Sequence, residues 1–202
     1  MRKSNREKLA DMKRAAIKNE TMTLEDMFAL ILDDRGRSKE DRKPNPTQVL
    51  YYNDDSVYKG YMGPKGCSKT STIAGSGMMR ALIQPGSKGF VGRNDYNDVM
   101  TTTGKRMEEM LQRLPKGTLL DRSKNPPMQW WLRPIPTLSP EGDILDDTPS
   151  EITFVGMEAL EAGGSFEVNW GVIDEVDECK EENVRVTSGW LRYRGGNYCV
   201  MM

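Results

Sequence analysis

No histidine occurs anywhere in the 202 residues. Imidazole general bases and histidine metal sites are therefore excluded, and any proton abstraction falls to another side chain, a carboxylate foremost. Cysteine is scarce. Cys67, Cys179 and Cys199 are odd in number and have no metal-like spacing, which suits a reducing cytosol. Charge of one sign is also lacking: 29 Lys and Arg face 30 Asp and Glu, a net charge of −1. No global field draws the chain to DNA or membrane, so nucleic-acid contact must rest on local patches. No apolar run approaches a membrane span, the N-terminus is charged rather than secretory, and there is no internal repeat. Apolar residues make up 37% and charged residues 29%. That is lean, yet sufficient for one compact domain with an appendage.

Against these absences stands the stretch Gly63-Pro64-Lys65-Gly66-Cys67-Ser68-Lys69-Thr70. It lies between an apolar-aromatic run, Val57–Met62, which predicts a strand, and Thr70–Leu82, which predicts a helix despite Gly75 and Gly77. A strand, a glycine loop ending in Lys-Thr and a helix are what a phosphate cradle needs. Loop N–H groups and the helix N-terminus then face the anion, Lys69 reaches the β- and γ-phosphates, and the Thr70 hydroxyl ligates Mg²⁺. The usual pattern has glycine where Ser68 stands; Gly66 can still supply a positive φ. The competing reading is a plain turn with Lys69 as a solvated first-turn lysine.

Residues 1–43 read as a charged, helix-prone extension. Positions 1–20 hold seven Lys/Arg and three Asp/Glu, and Thr23-Leu24-Glu25-Asp26 looks like a capped helix start. Such a lead-in is ordinarily a solvated helical face; a docking arm for a partner or DNA is the alternative. Arg35 to Pro46 reads as a linker. From Val57 the chain alternates: a second strand at Gly89–Gly92 and a second helix at Asn97–Leu114. Alternation predicts a mainly parallel sheet with helices on its faces. Met128–Leu132 and Glu151–Val155 predict a hairpin-like insertion around a loop at 134–150. Val168–Ile173 and Tyr198–Met202 are further strand candidates.

A phosphate loop needs a partner that places the metal and activates water. Val172-Ile173-Asp174-Glu175 fits: an apolar strand ends in two adjacent carboxylates at the sheet edge where α/β folds bind ligands. Asp174 is placed to help hold Mg²⁺, and Glu175 to act as the general base. Six acids fall between 174 and 182, so an acidic surface turn is the competing reading. No Asn-Lys-x-Asp guanine signature is present, which points to ATP. Gln48 is a candidate adenine reader, with Tyr51 or Tyr52 as stacking partner; an ordinary loop before a strand is the alternative.

Together these residues resemble the large terminase subunit of tailed bacteriophages, the DNA-packaging ATPase, over roughly residues 44–202. The likeness is carried by Pro46-Thr47-Gln48, by the 63–70 loop with Lys65 inside it, and by Arg93-Asn94-Asp95-Tyr96-Asn97. It continues in Phe154-Val155-Gly156, Trp170-Gly171-Val172-Ile173-Asp174-Glu175-Val176-Asp177-Glu178 and Leu191-Arg192-Tyr193-Arg194. The resemblance implies a P-loop NTPase three-layer α/β sandwich of the additional-strand, catalytic-glutamate type, following the helical lead-in. It implies catalytic Glu175 and Lys69, and nucleotide contacts from Gly63, Lys65, Gly66, Cys67, Ser68, Lys69, Thr70 and Gln48. Thr70 and Asp174 would serve Mg²⁺, and ATP would be hydrolysed to drive DNA into a capsid. Implied partners are double-stranded DNA, a portal protein, a small terminase subunit and further copies in a ring, acting in the host cytoplasm without a membrane.

Three departures accompany the likeness. Ser68 replaces a glycine. Ala162-Gly163-Gly164-Ser165 stands where many relatives carry an arginine acting across subunits, so that role is unassigned; Arg93 and Arg133 are candidates, with an ordinary surface cation as the competing reading. The coupling element and nuclease domain that follow in relatives are not in this sequence, so a C-terminally truncated ATPase domain without nuclease activity is expected. Another nucleic-acid-dependent ATPase of helicase type, or an inactive nucleotide-binding fragment, are the alternatives. Arg185, Arg192 and Arg194 are candidate DNA contacts.

Overall fold

The computed structural model describes residues 46–54, 56–114, 116–123, 125–135, 137–138, 144–158, 167–192 and 199–201. The expected extension at 1–43, the Ala162–Ser165 segment, Tyr193 and Arg194 lie outside the described residues. In chain order the elements are α1 (Pro46–Asn53), β1 (Tyr58–Lys59), α2 (Lys69–Ile83) and β2 (Lys88–Arg93). A short α3 (Tyr96–Asp98) runs through a π-helical turn (Val99–Gly104) into α4 (Lys105–Leu111). Then come β3 (Leu119–Arg122), β4 (Gln129–Leu132), β5 (Thr137–Leu138), β6 (Ile144–Asp146), β7 (Ser150–Gly156) and β8 (Trp170–Ile173). A 3₁₀ turn (Val176–Glu178), α5 (Glu181–Trp190) and β9 (Cys199–Met201) follow.

The main sheet has seven strands in the order β1-β9-β8-β2-β7-β4-β3. Strands β1, β9, β8, β2 and β7 run parallel, while β4 and β3 continue the sheet antiparallel. The mixed α/β architecture is thus the expected one. The last strand, β9, is threaded between β1, which feeds the glycine loop, and β8, which ends at the acids.

Side chains alternate across the central strands, so each strand contributes to two cores. Val91, Phe154, Trp170 and Val172 pack with Ile73 and Met78 of α2 and Met107 and Met110 of α4. Their neighbours Phe90, Val155 and Ile173 pack on the other face with Trp190 of α5. The Phe90 and Trp190 rings meet edge to face at 5.1 Å. Two glycines make room for this packing. Gly89 lies opposite Trp170 and Phe90 opposite Gly171. A Cβ on Gly89 would come within 2.1 Å of the Trp170 ring, and one on Gly171 within 2.2 Å of the Phe90 ring. Each aromatic therefore covers the strand position its partner leaves bare, and the pair fixes the β2–β8 register.

Several expectations are corrected. The linker read through Pro46 is a helix from that residue on. Proline is tolerated at the first helical position, where its missing N–H has no acceptor to lose. Buried Lys59 closes the other end of α1, donating to the Tyr51 and Asp54 carbonyls at 2.9 and 3.0 Å. β1 is shorter than Val57–Met62, because residues 60–64 leave the ladder to form the loop. The 134–150 loop contains a hairpin, β5–β6. The segment Glu151–Val155 is no insertion: β7 pairs with β2 in parallel as well as with β4. β3 and α5 had no counterpart in the sequence reading. The second helix, expected unbroken from Asn97 to Leu114, is interrupted by the π turn and ends at Leu111.

Replacing Gly171 by alanine should lower stability by about 1–3 kcal/mol, the ordinary penalty of overpacking a tight core. Urea unfolding measures this directly; an unchanged midpoint for both Gly171→Ala and Gly89→Ala would contradict the register argument.

Candidate active site

The loop between β1 and α2 turns through two residues in the left-handed region, Gly66 at φ +85° and Ser68 at φ +65°. Glycine takes that conformation freely; serine there carries strain. The backbone thus keeps at Ser68 the conformation that glycine ordinarily supplies. The Cys67 N–H closes a turn onto the Pro64 carbonyl at 3.3 Å, with Lys65 on its exposed surface. Gly63 packs so closely that a Cβ would lie 2.6 Å from Cys67 Sγ. Lys69 Nζ folds back over the loop and donates to the Gly63 carbonyl at 2.6 Å and the Pro64 carbonyl at 3.4 Å. Helix α2 has no side-chain cap from Ser68 and no acid in its first turn, which leaves its positive end suited to an anion.

Asp174 follows β8 directly. Its N–H donates to the Gly92 carbonyl at 3.0 Å, extending the β2–β8 pairing by one residue. The side chain is only 2% exposed. Its Oδ1 accepts from the Thr70 hydroxyl at 3.3 Å and its Oδ2 from the Thr103 hydroxyl at 2.6 Å. Among the described residues no Lys or Arg pairs with it. A buried carboxylate balanced only by hydroxyls suits a hard cation, which would supply the missing positive charge. Among the described residues no group of three or more His, Cys, Asp or Glu could cage an ion. Mg²⁺ fits that sparse set, because it takes few protein oxygens and completes its shell with phosphates and water. Thr70 and Asp174 are the residues that could hold it.

Glu175 stands next, also left-handed, at φ +54° and ψ +53°. Its carboxylate forms an ion pair with Arg93 at the end of β2, and Glu178 lies 3.9 Å from the same guanidinium. Arg93 Nη1 donates to Thr102 Oγ1 at 2.8 Å, while its buried Nε has no hydrogen-bond partner among the described residues. Arg93, a candidate for acting across subunits, is engaged within its own chain. Nearby, burial and the adjacent acids Glu178 and Asp177 push the Cys179 thiol up to about 11.

Gln48 is buried, and its Nε2 donates to Thr72 Oγ1 at 2.8 Å; that hydroxyl donates to the Ser68 carbonyl at 2.9 Å. The candidate adenine reader is thus wired to the strained loop residue. The two tyrosines offered for stacking are not on an open surface. Tyr51 is in the core, edge-on to Tyr61 at 5.5 Å, and burial pushes the Tyr52 phenol far up. Arg185 pairs with Glu181 at 2.7 Å and Arg192 lies 3.7 Å from Glu167. Thr72, Thr102 and Thr103 were missed by the sequence reading. Only the run Thr101-Thr102-Thr103 inside a helical stretch offered a signal, since threonines there compete with helix geometry.

No protein-family model and no curated protein sequence matches the chain. Its fold is similar to the ATPase domain of the large terminase of Thermus phage P74-26, at 14% identity and a TM-score of 0.50. The alignment covers 79% of this chain and 64% of that one, and a single-substitution variant of that domain aligns equally well. The large terminase of another thermophilic bacteriophage aligns at 8% identity and a TM-score of 0.49, over 89% of this chain and 38% of that one. The resemblance read from the sequence thus reappears in the fold. Among the described residues no helix is long and apolar enough to cross a membrane.

Ser68→Gly should raise stability by up to about 1 kcal/mol, the left-handed strain relieved less the extra chain entropy of glycine. Ser68→Val should lower it, since a branched side chain fits that conformation worse. Equal urea midpoints for the three proteins would refute strain at this position.

Proposed function

We propose that this chain is the ATP-hydrolysing motor domain of a viral DNA-packaging terminase. One observation carries the ATP site: Thr70, at the start of α2, and Asp174, 104 residues later at the end of β8, meet with a 3.3 Å hydrogen bond. The glycine loop and the acidic strand, each open to a bland reading alone, lie side by side, which supports reading them as one site. The place of β9 between β1 and β8 supports the additional-strand, catalytic-glutamate type of P-loop fold.

On this reading Gly63, Lys65, Gly66, Cys67 and Ser68 shape the cradle for the phosphates of ATP. Lys69 exchanges the Gly63 and Pro64 carbonyls for phosphate oxygens. Mg²⁺, when bound by Thr70 and Asp174, neutralises charge on the phosphates. Glu175 takes the proton of the attacking water, while Arg93 pairs with its Oε2 and orients the carboxylate. Gln48 is the adenine reader on this reading, and its bond to Thr72 ties it to Ser68. Work on DNA, assembly as a ring, and docking to a portal protein and a small subunit in the host cytoplasm are proposed on the fold likeness. Grip on the duplex would be sequence-independent and weakened by salt. The likeness to a terminase ATPase domain does not favour a helicase-like machine.

The test is ATP turnover by the full chain with and without double-stranded DNA. Lys69→Ala should abolish nucleotide binding. Glu175→Gln should keep binding and slow turnover about 100-fold or more, the usual contribution of a general base. Wild-type hydrolysis in both variants would sink the assignment; wild-type binding without turnover would favour an inactive nucleotide-binding fragment.

A further inference from the structure

Thr103 sits in the only described π-helical turn, between β2 and α4, and is fully buried. The Lys105 N–H reaches back five residues to the Met100 carbonyl, which marks the widened turn. Its flanking threonines bond locally: Thr101 Oγ1 donates to the Asn97 carbonyl at 2.9 Å, and Thr102 Oγ1 to the Asp98 carbonyl. Thr103 does not. Its hydroxyl leaves the helix and donates to Asp174 Oδ2 at 2.6 Å, across 71 residues of sequence. The carboxylate is therefore gripped from both sides, Oδ1 by Thr70 and Oδ2 by Thr103. One residue earlier, Thr102 accepts from the Arg93 guanidinium that holds Glu175. A single wide turn thus reaches both members of the acidic pair, Asp174 directly and Glu175 through Arg93.

We infer that Thr103 is a positioning residue for Asp174: it ties up Oδ2, holds the carboxylate plane and leaves Oδ1, beside Thr70, as the oxygen turned to a divalent cation. The inference rests on the ATP-site reading above. A short hydrogen bond to a carboxylate restricts rotation about the terminal torsion, which is otherwise broad. Losing it frees the carboxylate to turn and makes it a poorer ligand for an ion with strict octahedral demands. The π turn supplies the reach, because the widened turn alters the angular spacing and sends one hydroxyl of the three toward the sheet edge.

The test is the Mg²⁺ dependence of fluorescent ATP-analogue binding to the full chain, measured beside its thermal unfolding. Thr103→Val keeps the shape and removes the hydroxyl; the Mg²⁺ concentration for half-maximal binding should rise about tenfold. Binding without metal should be unchanged. Thr103→Ser, which restores the donor, should return the wild-type value, and exposed Thr101→Val should match wild type. If Thr103→Val does not fold, Thr103→Cys, similar in size with a weak donor, carries the same expectation. A lowered unfolding temperature with unaltered Mg²⁺ dependence would mean a purely structural threonine and overturn the inference. Lys69→Ala separates the two claims. If it abolishes binding while Thr103→Val is silent, only this inference fails; if it too is silent, the ATP site fails and takes the inference with it.

Discussion

The pairing of β2 with β8 is the constraint from which the site follows. Its register is set by two reciprocal contacts, Trp170 over Gly89 and Phe90 over Gly171. A slip of one residue would drive both rings into backbone and exchange the two cores, because side chains alternate with period two. With the register fixed, the strands end together. The Gly92 carbonyl accepts from Asp174 N–H, and Arg93 emerges beside Glu175. The positions of the acidic pair and its arginine are therefore consequences of core packing some residues below them. Gly89 and Gly171 have no chemistry of their own, yet they decide where the chemistry can occur.

The site also concentrates strain. Among the described residues the non-glycine positions with positive φ are Ser68 and Glu175. Each costs about 1–3 kcal/mol, against a total stability of about 5–15 kcal/mol for a folded domain. Ser68 lies where the glycine loop enters α2, and Glu175 where the chain leaves β8 just after Asp174. Each is held by bonds to other elements, Ser68 through Thr72 to Gln48 and Glu175 through Arg93 to Thr102. Contacts from α1, β2 and the π turn thus hold the two strained residues in place.

What the sequence made legible were features whose signal is local. β2, β8, α2 and the glycine loop each carry their own pattern of apolar runs and turn residues, and they appear where the residues predict them. The meeting of Thr70 with Asp174 was also expected, since strand ends gather at one edge. The failures share a different cause. Pro46 reads as a breaker but serves as a first helical residue, a distinction that depends on which N–H groups need acceptors. β7 reads as half of a hairpin because its antiparallel neighbour β4 is close in sequence, whereas its parallel neighbour β2 is far. The hydroxyl contacts of Thr72, Thr102 and Thr103 depend on which way a helix face turns, and in the π turn that angle departs from the regular 3.6-residue period.

Ser68 gains a new meaning from this arrangement. In the sequence it is the weak point of the phosphate loop, a residue where glycine is usual. In the fold its φ and ψ are those glycine would have taken, and its carbonyl accepts from both the Thr72 N–H and the Thr72 hydroxyl, each at 2.9 Å. Two donors on one carbonyl pin the peptide, and the second is itself oriented by Gln48. The chain therefore does not evade the backbone demand of the loop; it meets that demand with a strained residue and an added hydrogen-bond chain from α1. That makes Gln48 more than an adenine candidate. Its amide orients the Thr72 hydroxyl that holds the Ser68 carbonyl, so α1 steadies the loop from outside it.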